Sequence, residues 1–264
     1  MEIKPVAYYR GPLSEKFGVP RQAGLVPDLP GTVEFCDGFD PDSLDGLDGF
    51  DYIWLIWGFS LNNPDAACSA KVRPPRLGGN EKKGVYATRS PYRPNPLGLS
   101  SVRISGIDAA AGRISVLGAD LVDGTPIYDI KPYVEYADAH CGIRSGFADS
   151  APGSLVVQFP EEQALKDLST PGQGQGVGPV DSELSLCDDE DGNGRGRSED
   201  GKAGRTEFLE GLSFREREVL KEILSQDPRP AYHDDPQRVY GLTYKGKNVR
   251  FRVEGDVLTV LGID

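Results

Sequence analysis

The sequence contains no apolar run that approaches the roughly 20 residues a membrane-spanning helix needs. Its first residues, MEIKPVAYYRGPLSEKFG, show neither the basic region nor the apolar region of a signal peptide, so we expect a cytoplasmic protein. The four cysteines are far apart and form no CxxC pair, which favours reduced thiols over a disulfide or zinc framework. With only two histidines, the chain is also expected to bind no metal.

The charge is unevenly distributed along a chain whose net charge is −12. Residues 28–51 contain eight acidic residues and no lysine or arginine, whereas residues 71–113 contain nine basic residues and only two acidic ones. Because the local potential attracts a charged ligand, a globally acidic protein can still present a basic surface to an anion. Residues 71–113 are the candidate for such a surface.

Up to about residue 160 the pattern is typical of β-strands and shows no helical periodicity of useful length. Short runs rich in aromatic and β-branched residues alternate with Gly, Pro, Asp and Asn, which predicts a mainly β, antiparallel sandwich or barrel. The eight runs are PVAYY, TVEFC, YIWLIWGF, GVYAT, VRISGI, RISVLGADL, PIYDIKPYV and SLVVQF.

Three regions are predicted: a β domain (1–160), an acidic glycine-rich linker or disordered loop (161–204) and a C-terminal α+β module (205–264). The linker has too few large apolar residues to offset the entropy of ordering it. In the module, Ser213 and Glu216 have the spacing of a capping box at the start of a helix that ends near Asp227. Three strands after the helix suggest a meander.

Polar residues are concentrated on stiff backbone in four segments. These are EKFGVPRQAG (15–24), residues 72–100 with RSPYRPNPLGLS, GADLVDGTPIYDIKPY (118–133) and QDPRPAYH (226–233). Each segment alone is explained by turns and surface arginines. Four together indicate preorganised polar groups of the kind that a charged ligand needs.

These segments resemble the TrmO family, also called TsaA-like or YaeB-like, of S-adenosylmethionine-dependent tRNA methyltransferases. The resemblance rests on FGVPRQAGL, VRPPRLGGN, GVYATRSPYRPNPLGLS, DLVDGTPIYDIKPY, QDPRPAY and VRFRV, which occur in both ordered regions. It implies an eight-stranded barrel-like domain that binds S-adenosylmethionine, a C-terminal module and a homodimer. It further implies methylation of N6-threonylcarbamoyladenosine beside the anticodon of threonine tRNA. The absence of a strand–GxGxG–helix unit agrees with a methyltransferase that lacks a Rossmann fold.

The resemblance also assigns cofactor contacts. They are expected at Pro20, Arg21, Gln22, Ser60, Leu61, Arg89, Leu99, Asp120, Leu121, Val122 and Asp123. A carboxylate suits the ammonium and sulfonium charges of the cofactor, and an arginine suits its carboxylate. Many family members have a histidine where this sequence has Ser60, which leaves open a different RNA or a small molecule as the substrate.

Methyl transfer to nitrogen also requires handling of a proton, and the sequence offers two groups of catalytic candidates. The first group is Asp129, Lys131 and Tyr133, and the second is Asp227, Arg229 and Tyr232 of the C-terminal module. The anticodon stem-loop is expected to contact basic residues, namely Arg73, Arg76, Lys82, Lys83 and Arg93. A non-catalytic barrel that binds RNA or S-adenosylmethionine is the alternative from another class.

Overall fold

The computed structural model describes residues 2–62, 68–74, 81–149, 153–160, 211–229 and 235–264. The predicted linker at 161–204 lies outside these residues. The described strands, in chain order, are β1 Ala7–Arg10, β2 Pro30–Phe35, β3 Tyr52–Gly58, β4 Lys71–Val72, β5 Lys83–Gly84, β6 Leu97–Asp108, β7 Arg113–Leu117, β8 Pro126–Pro132, β9 Val156–Gln158, β10 Tyr240–Tyr244, β11 Lys247–Glu254 and β12 Val257–Ile263. The α-helices are α1 Glu135–Asp138 and α2 Phe214–Ser225. No helix in these ranges is long and apolar enough to cross a membrane.

Six strands form a closed barrel in the order β1-β2-β7-β6-β3-β8. Each neighbouring pair is antiparallel, and the pairing of β1 with β8 closes the barrel. Side chains alternate between its inside and its outside, as in any strand. Ile53, Leu55 and Trp57 of β3 therefore point into the core, while Tyr52 and Trp54 are more exposed.

The prediction of a mainly β fold is confirmed, but the barrel has six strands instead of the eight expected. GVYAT forms a single 3-10 turn at Val85–Ala87, where the Thr88 hydroxyl donates to the Val85 carbonyl at 2.9 Å. SLVVQF contains β9, which pairs in parallel with β12 outside the barrel. Val157 and Phe159 are buried there in a second core, so the apolar pattern of this run reflects burial in another sheet.

The C-terminal module consists of α2 and a four-stranded sheet in the order β10-β11-β12-β9. The predicted meander is confirmed, and so is the capping box: the Glu216 N–H donates to Ser213 Oγ, and the Ser213 N–H donates to Glu216 Oε2 at 2.8 Å. Hydrogen bonds from Lys245 and then Ser213 lower the pKa of Glu216 to about 2. The apolar face of α2 is buried, as its spacing predicts.

The loop between β1 and β2, residues 11–29, belongs to both parts of the molecule. Leu13, Val26 and Leu29 are buried in the core of the C-terminal sheet rather than in the barrel. The Lys245 N–H also donates to the Pro12 carbonyl at 2.8 Å. The position of this loop therefore depends on its contacts with the C-terminal module.

The two ends of the barrel differ in composition. At one end, which we call the proline-rich end, β1, β3 and β7 finish and β2, β6 and β8 begin, so the loops 11–29, 59–96 and 118–125 meet there. At the opposite end, which we call the acidic end, residues 36–51 connect β2 to β3 and contribute six aspartates. The barrel thus separates the acidic stretch of the sequence from most of the basic one.

Candidate functional site

Predicted cofactor residues from three separate segments meet at the proline-rich end. Arg89 donates from Nη1 to the side-chain oxygen of Gln22. Asp120 lies shortly after β7. Its carboxylate accepts a hydrogen bond from the backbone N–H of Ala23 and interacts electrostatically with Arg89. The backbone around them is held together, because the Gly24 N–H donates to the Gly118 carbonyl at 2.8 Å. The antiparallel barrel thus brings Gln22, Arg89 and Asp120 into one cluster.

Burial raises the pKa of the Asp120 carboxyl. Hydrogen bonds from the Ser100 hydroxyl and from backbone N–H groups, together with the Arg89 charge, oppose that rise. A carboxylate that is partly withdrawn from water and has one nearby arginine can attract a cation that enters the cluster. Apart from its hydrogen bond to Gln22, Arg89 has an exposed side chain, which suits recognition of an anionic group on the same ligand.

The other residues of the predicted 120–123 run have different roles. Leu121 is buried in the barrel core. The Val122 carbonyl accepts from the Thr125 hydroxyl at 2.7 Å, within the turn that leads into β8. Asp123 is exposed and its Oδ1 accepts from the Gly11 N–H at 3.1 Å, which ties this turn to the end of β1.

Three predicted contacts present exposed side chains near the same end. Ser60 and Leu61 follow β3, and Leu99 on β6 is paired with Ile56. Next to them lies Asn62, which the sequence reasoning missed. Its amide donates to the Pro91 carbonyl at 3.3 Å and accepts from Lys16 Nζ at 3.1 Å, so it joins two parts of the loop 59–96 to the loop 11–29. The signal in the sequence that could have identified Asn62 is its position directly after the predicted contacts Ser60 and Leu61.

The residues that follow α2, 226–229, which we call the tip, contact the loop 11–29 of the same chain. Arg21 Nη2 donates to the Asp227 carbonyl at 3.1 Å. Asp227 in turn is 5% exposed, and its carboxylate accepts two bonds from the Arg229 guanidinium, at 2.9 and 3.1 Å. Asp227 and Arg229 thus form a buried ion pair beside Arg21, and Pro20 is buried in the same loop. Tyr232 lies outside the described residues.

Of the other catalytic candidates, Asp129 lies level with Leu99, because both are paired with Ile56, whereas Lys131 and Tyr133 lie farther from the cluster. Asp129, Lys131 and Tyr133 lie progressively closer to the acidic end, since β8 begins at the proline-rich end with Pro126. Lys131 forms an exposed ion pair with Asp129 at 3.0 Å, and the Tyr133 N–H donates to the carbonyl at the start of β3. At about 3.3 Å of rise per residue, Lys131 is roughly 16 Å along the strand from Pro126.

Three of the predicted RNA-binding residues, Arg73, Lys82 and Lys83, lie in or next to the hairpin of β4 and β5. Val72 and Lys83 are paired across the hairpin. Arg73 directly follows Val72, Lys82 directly precedes Lys83, and both side chains are exposed. Lys83 itself pairs with Glu81 at 2.7 Å. Arg93 lies in the proline-rich segment and donates to the Thr88 carbonyl at 3.4 Å. Arg76 lies outside the described residues.

Two cavities are present away from the cluster. One of about 630 Å³ lies at the acidic end, against residues 35–50 and Asp129, and one of about 390 Å³ lies between α2 and β9. The cluster is a better site than either cavity, because it combines a partly buried carboxylate, an exposed arginine and exposed apolar side chains. Among the described residues, no group of three His, Cys, Asp or Glu side chains could hold a metal ion, and Cys36, Cys68 and Cys141 are free thiols.

Comparisons with known proteins agree over both parts of the chain. The family description "tRNA-methyltransferase O N-terminal domain" matches residues 8–139, and "TrmO C-terminal domain" matches residues 207–264. A Pseudomonas aeruginosa protein described as a putative S-adenosylmethionine-dependent methyltransferase RcsF is 36% identical, over 99% of this chain and 96% of that protein. The tRNA (adenine(37)-N6)-methyltransferase of Escherichia coli K12 is 32% identical, over 96% of this chain and 93% of that protein.

A solved structure has the same architecture. The crystal structure of TrmO from Pseudomonas aeruginosa superposes with a TM-score of 0.67 at 28% sequence identity, and the match covers 100% of this chain and 98% of that one. The similarity therefore includes the C-terminal module as well as the barrel.

Proposed function

The chain belongs to the TrmO family, and from this premise we propose that it methylates N6 of threonylcarbamoyladenosine beside the anticodon of threonine tRNA. As a member of that family it is an S-adenosylmethionine-dependent tRNA (adenine-N6)-methyltransferase. The observation that carries the proposed site is the convergence of Gln22, Arg89 and Asp120 at one end of the barrel.

The residues of the cluster fit S-adenosylmethionine. Asp120 supplies a partly buried carboxylate for a cation, Arg89 supplies a guanidinium for a carboxylate, and Leu61 and Leu99 supply exposed apolar surface for a purine. When bound, the cofactor provides a methyl group on a positively charged sulfur. The task of the protein is to bind both reactants and to hold the accepting nitrogen in line with that methyl group. Such alignment contributes several kcal/mol to lowering a barrier.

We propose that the tip after α2 completes the substrate pocket in its own subunit. The hydrogen bond from Arg21 to the Asp227 carbonyl supports this, since it joins the tip to the loop that carries Gln22. Because Asp227 and Arg229 are paired with each other, they are suited to positioning the tip rather than to accepting the substrate proton. The placement of the described candidates favours this tip over Lys131 and Tyr133, which lie farther along β8 toward the acidic end, as the neighbour of the bound cofactor.

The substrate is tested by methylation of tRNA from a strain that lacks this gene. Purified protein and S-adenosylmethionine are added, and the tRNA nucleosides are analysed by mass spectrometry. We expect a mass increase of one methyl group on threonylcarbamoyladenosine, and only in tRNA species that carry it. A methyl group on another nucleoside would show a different RNA substrate, in agreement with the unusual Ser60. We further propose a cytoplasmic homodimer, as the family resemblance implies; light scattering of the purified protein tests the dimer.

Arg89→Ala should weaken S-adenosylmethionine binding. Removing one partner of a charge-assisted hydrogen bond costs about 1.5–3 kcal/mol, which corresponds to a roughly 10- to 150-fold higher dissociation constant. Calorimetry measures the change, and Arg113→Ala is the control because Arg113 pairs with Glu34 on the barrel wall. Equal affinities for Arg89→Ala and the wild-type chain would place the cofactor elsewhere.

Reversing Arg73 and Lys82 to glutamate should weaken tRNA binding and leave S-adenosylmethionine affinity unchanged. The plot of log affinity against log salt has a negative slope, and each lost phosphate contact makes it less steep by about one. The control is reversal of Lys4 and Arg252, which changes the net charge equally at exposed positions away from the hairpin. If both double variants bound tRNA equally well, the hairpin would not be an RNA surface.

A further inference from the structure

A chain of buried hydrogen bonds leads from the barrel core to the Asp120 carboxylate. Trp57 Nε1 donates to Ser100 Oγ at 2.9 Å, and Ser100 Oγ lies 2.5 Å from Asp120 Oδ1. Ser100 is 2% exposed and Trp57 is 7% exposed, so the bond between them is sheltered from water, and the bond from Ser100 to Asp120 is partly buried. Neither Trp57 nor Ser100 belongs to the set of cofactor contacts that the family resemblance assigns.

The chemistry of these groups determines which one donates and which one accepts in each of the two hydrogen bonds. An indole N–H can only donate, so the Ser100 oxygen is the acceptor of that bond. The single hydroxyl proton of Ser100 is then available for Asp120, and a charged acceptor makes such a bond stronger and shorter. The arrangement therefore favours the ionised form of Asp120 and fixes the direction in which its Oδ1 points.

The backbone of β6 is adapted to this arrangement. Trp57 on β3 is paired across the strands with Gly98, and a Cβ at Gly98 would lie 2.2 Å from an atom of the indole ring. Only glycine leaves room for the ring at that position. The indole lies over β6 so that Nε1 reaches Ser100, two residues further along the same face.

Two other groups that can carry charge interact with Asp120. Arg89 favours its ionised form, whereas Tyr9 is fully buried beneath it. Burial, and then the charges of Asp120 and Asp123, raise the pKa of Tyr9, so the phenol stays neutral and adds no charge. Ser100 and Arg89 are therefore the side chains that balance the cost of burying this carboxylate.

We propose that Trp57 and Ser100 are positioning residues for methyl transfer, which act by holding the Asp120 carboxylate ionised and oriented toward the loop that carries Gln22. The inference rests on the proposed site, since S-adenosylmethionine is the cation that the carboxylate attracts. Ser100 contacts Asp120 and not the reactants, so its effect on the reaction is indirect.

The first test measures S-adenosylmethionine affinity by calorimetry from pH 8 down to the lowest pH at which the chain remains folded. The affinity of the wild-type chain should fall as the pH drops and Asp120 takes up a proton. In Ser100→Ala the ionised carboxylate loses a hydrogen bond, so its pKa rises and the fall should begin about one pH unit higher. Midway between the two midpoints the variant should bind about threefold more weakly, and the difference should approach about tenfold at a pH below both midpoints. The matched control is Ser101→Ala, because Ser101 faces the opposite side of β6 and should leave the profile unchanged.

The second test keeps the proposal falsifiable if Ser100→Ala does not fold. Trp57→Phe retains an aromatic ring but removes the N–H, and should shift the same profile in the same direction by a smaller amount. Trp54→Phe is its control, because the Trp54 indole donates to Asp138 on the outside of the barrel. An unshifted pH midpoint in the folded variant, Ser100→Ala or Trp57→Phe, would overturn the proposal.

The indole N–H signals distinguish a failure of this inference from a failure of the proposed function. The chain has two tryptophans, so a nitrogen–proton spectrum contains two indole signals that the Phe variants assign. The Trp57 signal should titrate with Asp120, and this titration should vanish in Asp120→Asn. If S-adenosylmethionine did not bind the wild-type chain at any pH, the proposed site would be wrong although Trp57 still titrated. If the cofactor bound but Trp57 did not titrate, the hydrogen-bond chain would be wrong.

Discussion

Replacing Gly18 with alanine should lower the free energy of unfolding by about 3 kcal/mol, from backbone strain of about 1–2 kcal/mol and overpacking of about 1–3 kcal/mol. Gly18 has φ +90°, and its added Cβ would lie 2.1 Å from Leu242 Cδ1. Leu242 is buried in the core of the C-terminal sheet and has little space to move. We therefore expect the loop to shift away from that sheet.

The same substitution should weaken S-adenosylmethionine binding by at least about tenfold, or 1.4 kcal/mol. Gly18 is two residues before Pro20 in the loop that carries Arg21 and Gln22. A shift of this loop would break the bond from Arg21 to the Asp227 carbonyl and move Gln22 away from Arg89. Urea denaturation measures the stability, and calorimetry measures the binding.

Gly24→Ala is the matched control for Gly18→Ala. Gly24 lies in the same loop with φ +82°, but a Cβ there would meet no atom within 4 Å. It should lose only the backbone contribution, about 1–2 kcal/mol, and retain most of its affinity for the cofactor. Equal losses in the two variants would mean that contact with the C-terminal sheet does not position the loop.

The sequence allowed local structure to be predicted more reliably than the assignment of strands to sheets. The capping box at Ser213 and the meander after α2 depend on residues close in the chain, and both are confirmed. GVYAT and SLVVQF have strand composition, yet neither joins the barrel. The β-propensity of a segment indicates that it fits a partly buried sheet surface, but it does not indicate which strand will pair with it. Val157 of SLVVQF, for example, is buried in the core of the C-terminal sheet.

The candidate site shows the same distinction. Charge and stiff backbone marked the segments that contain Arg89 and Asp120, the family resemblance selected these two residues, and the structure places them together. Ser100 was missed because a serine within an apolar strand gives no chemical signal until its partners are known. Asp129 and Lys131 follow the 120–123 run closely in sequence. Because β8 extends from one end of the barrel to the other, it carries Lys131 toward the acidic end, whereas Asp129 stays level with Leu99 through their common neighbour Ile56.

Arg229→Ala is expected to lower the free energy of unfolding by about 3 kcal/mol, because it removes one partner of a buried ion pair. The Arg229 side chain is 11% exposed and that of Asp227 is 8% exposed, so the carboxylate would lose two charge-assisted bonds where water cannot fully replace them. Asp227 also has φ +51°, a backbone conformation that the surrounding contacts must maintain.

The matched control is Arg250→Ala, which removes an exposed pair of similar length. Arg250 and Asp264 are 3.0 Å apart with side chains 47% and 63% exposed, so this change should cost no more than about 1 kcal/mol. Urea denaturation compares the two variants. Similar losses would show that the Asp227–Arg229 pair is not sheltered from water.

Asp227→Asn combined with Arg229→Gln separates a structural role of the pair from a catalytic one. The double variant replaces the two buried charges with neutral groups that can still hydrogen-bond, so part of the lost stability should return. If the pair only positions the tip, tRNA methylation should recover in parallel with stability, because the backbone carbonyl at position 227 can again accept the hydrogen bond from Arg21. Recovery of stability without methylation would instead make Arg229 or Asp227 a direct participant in the reaction, as the sequence-based hypothesis expects.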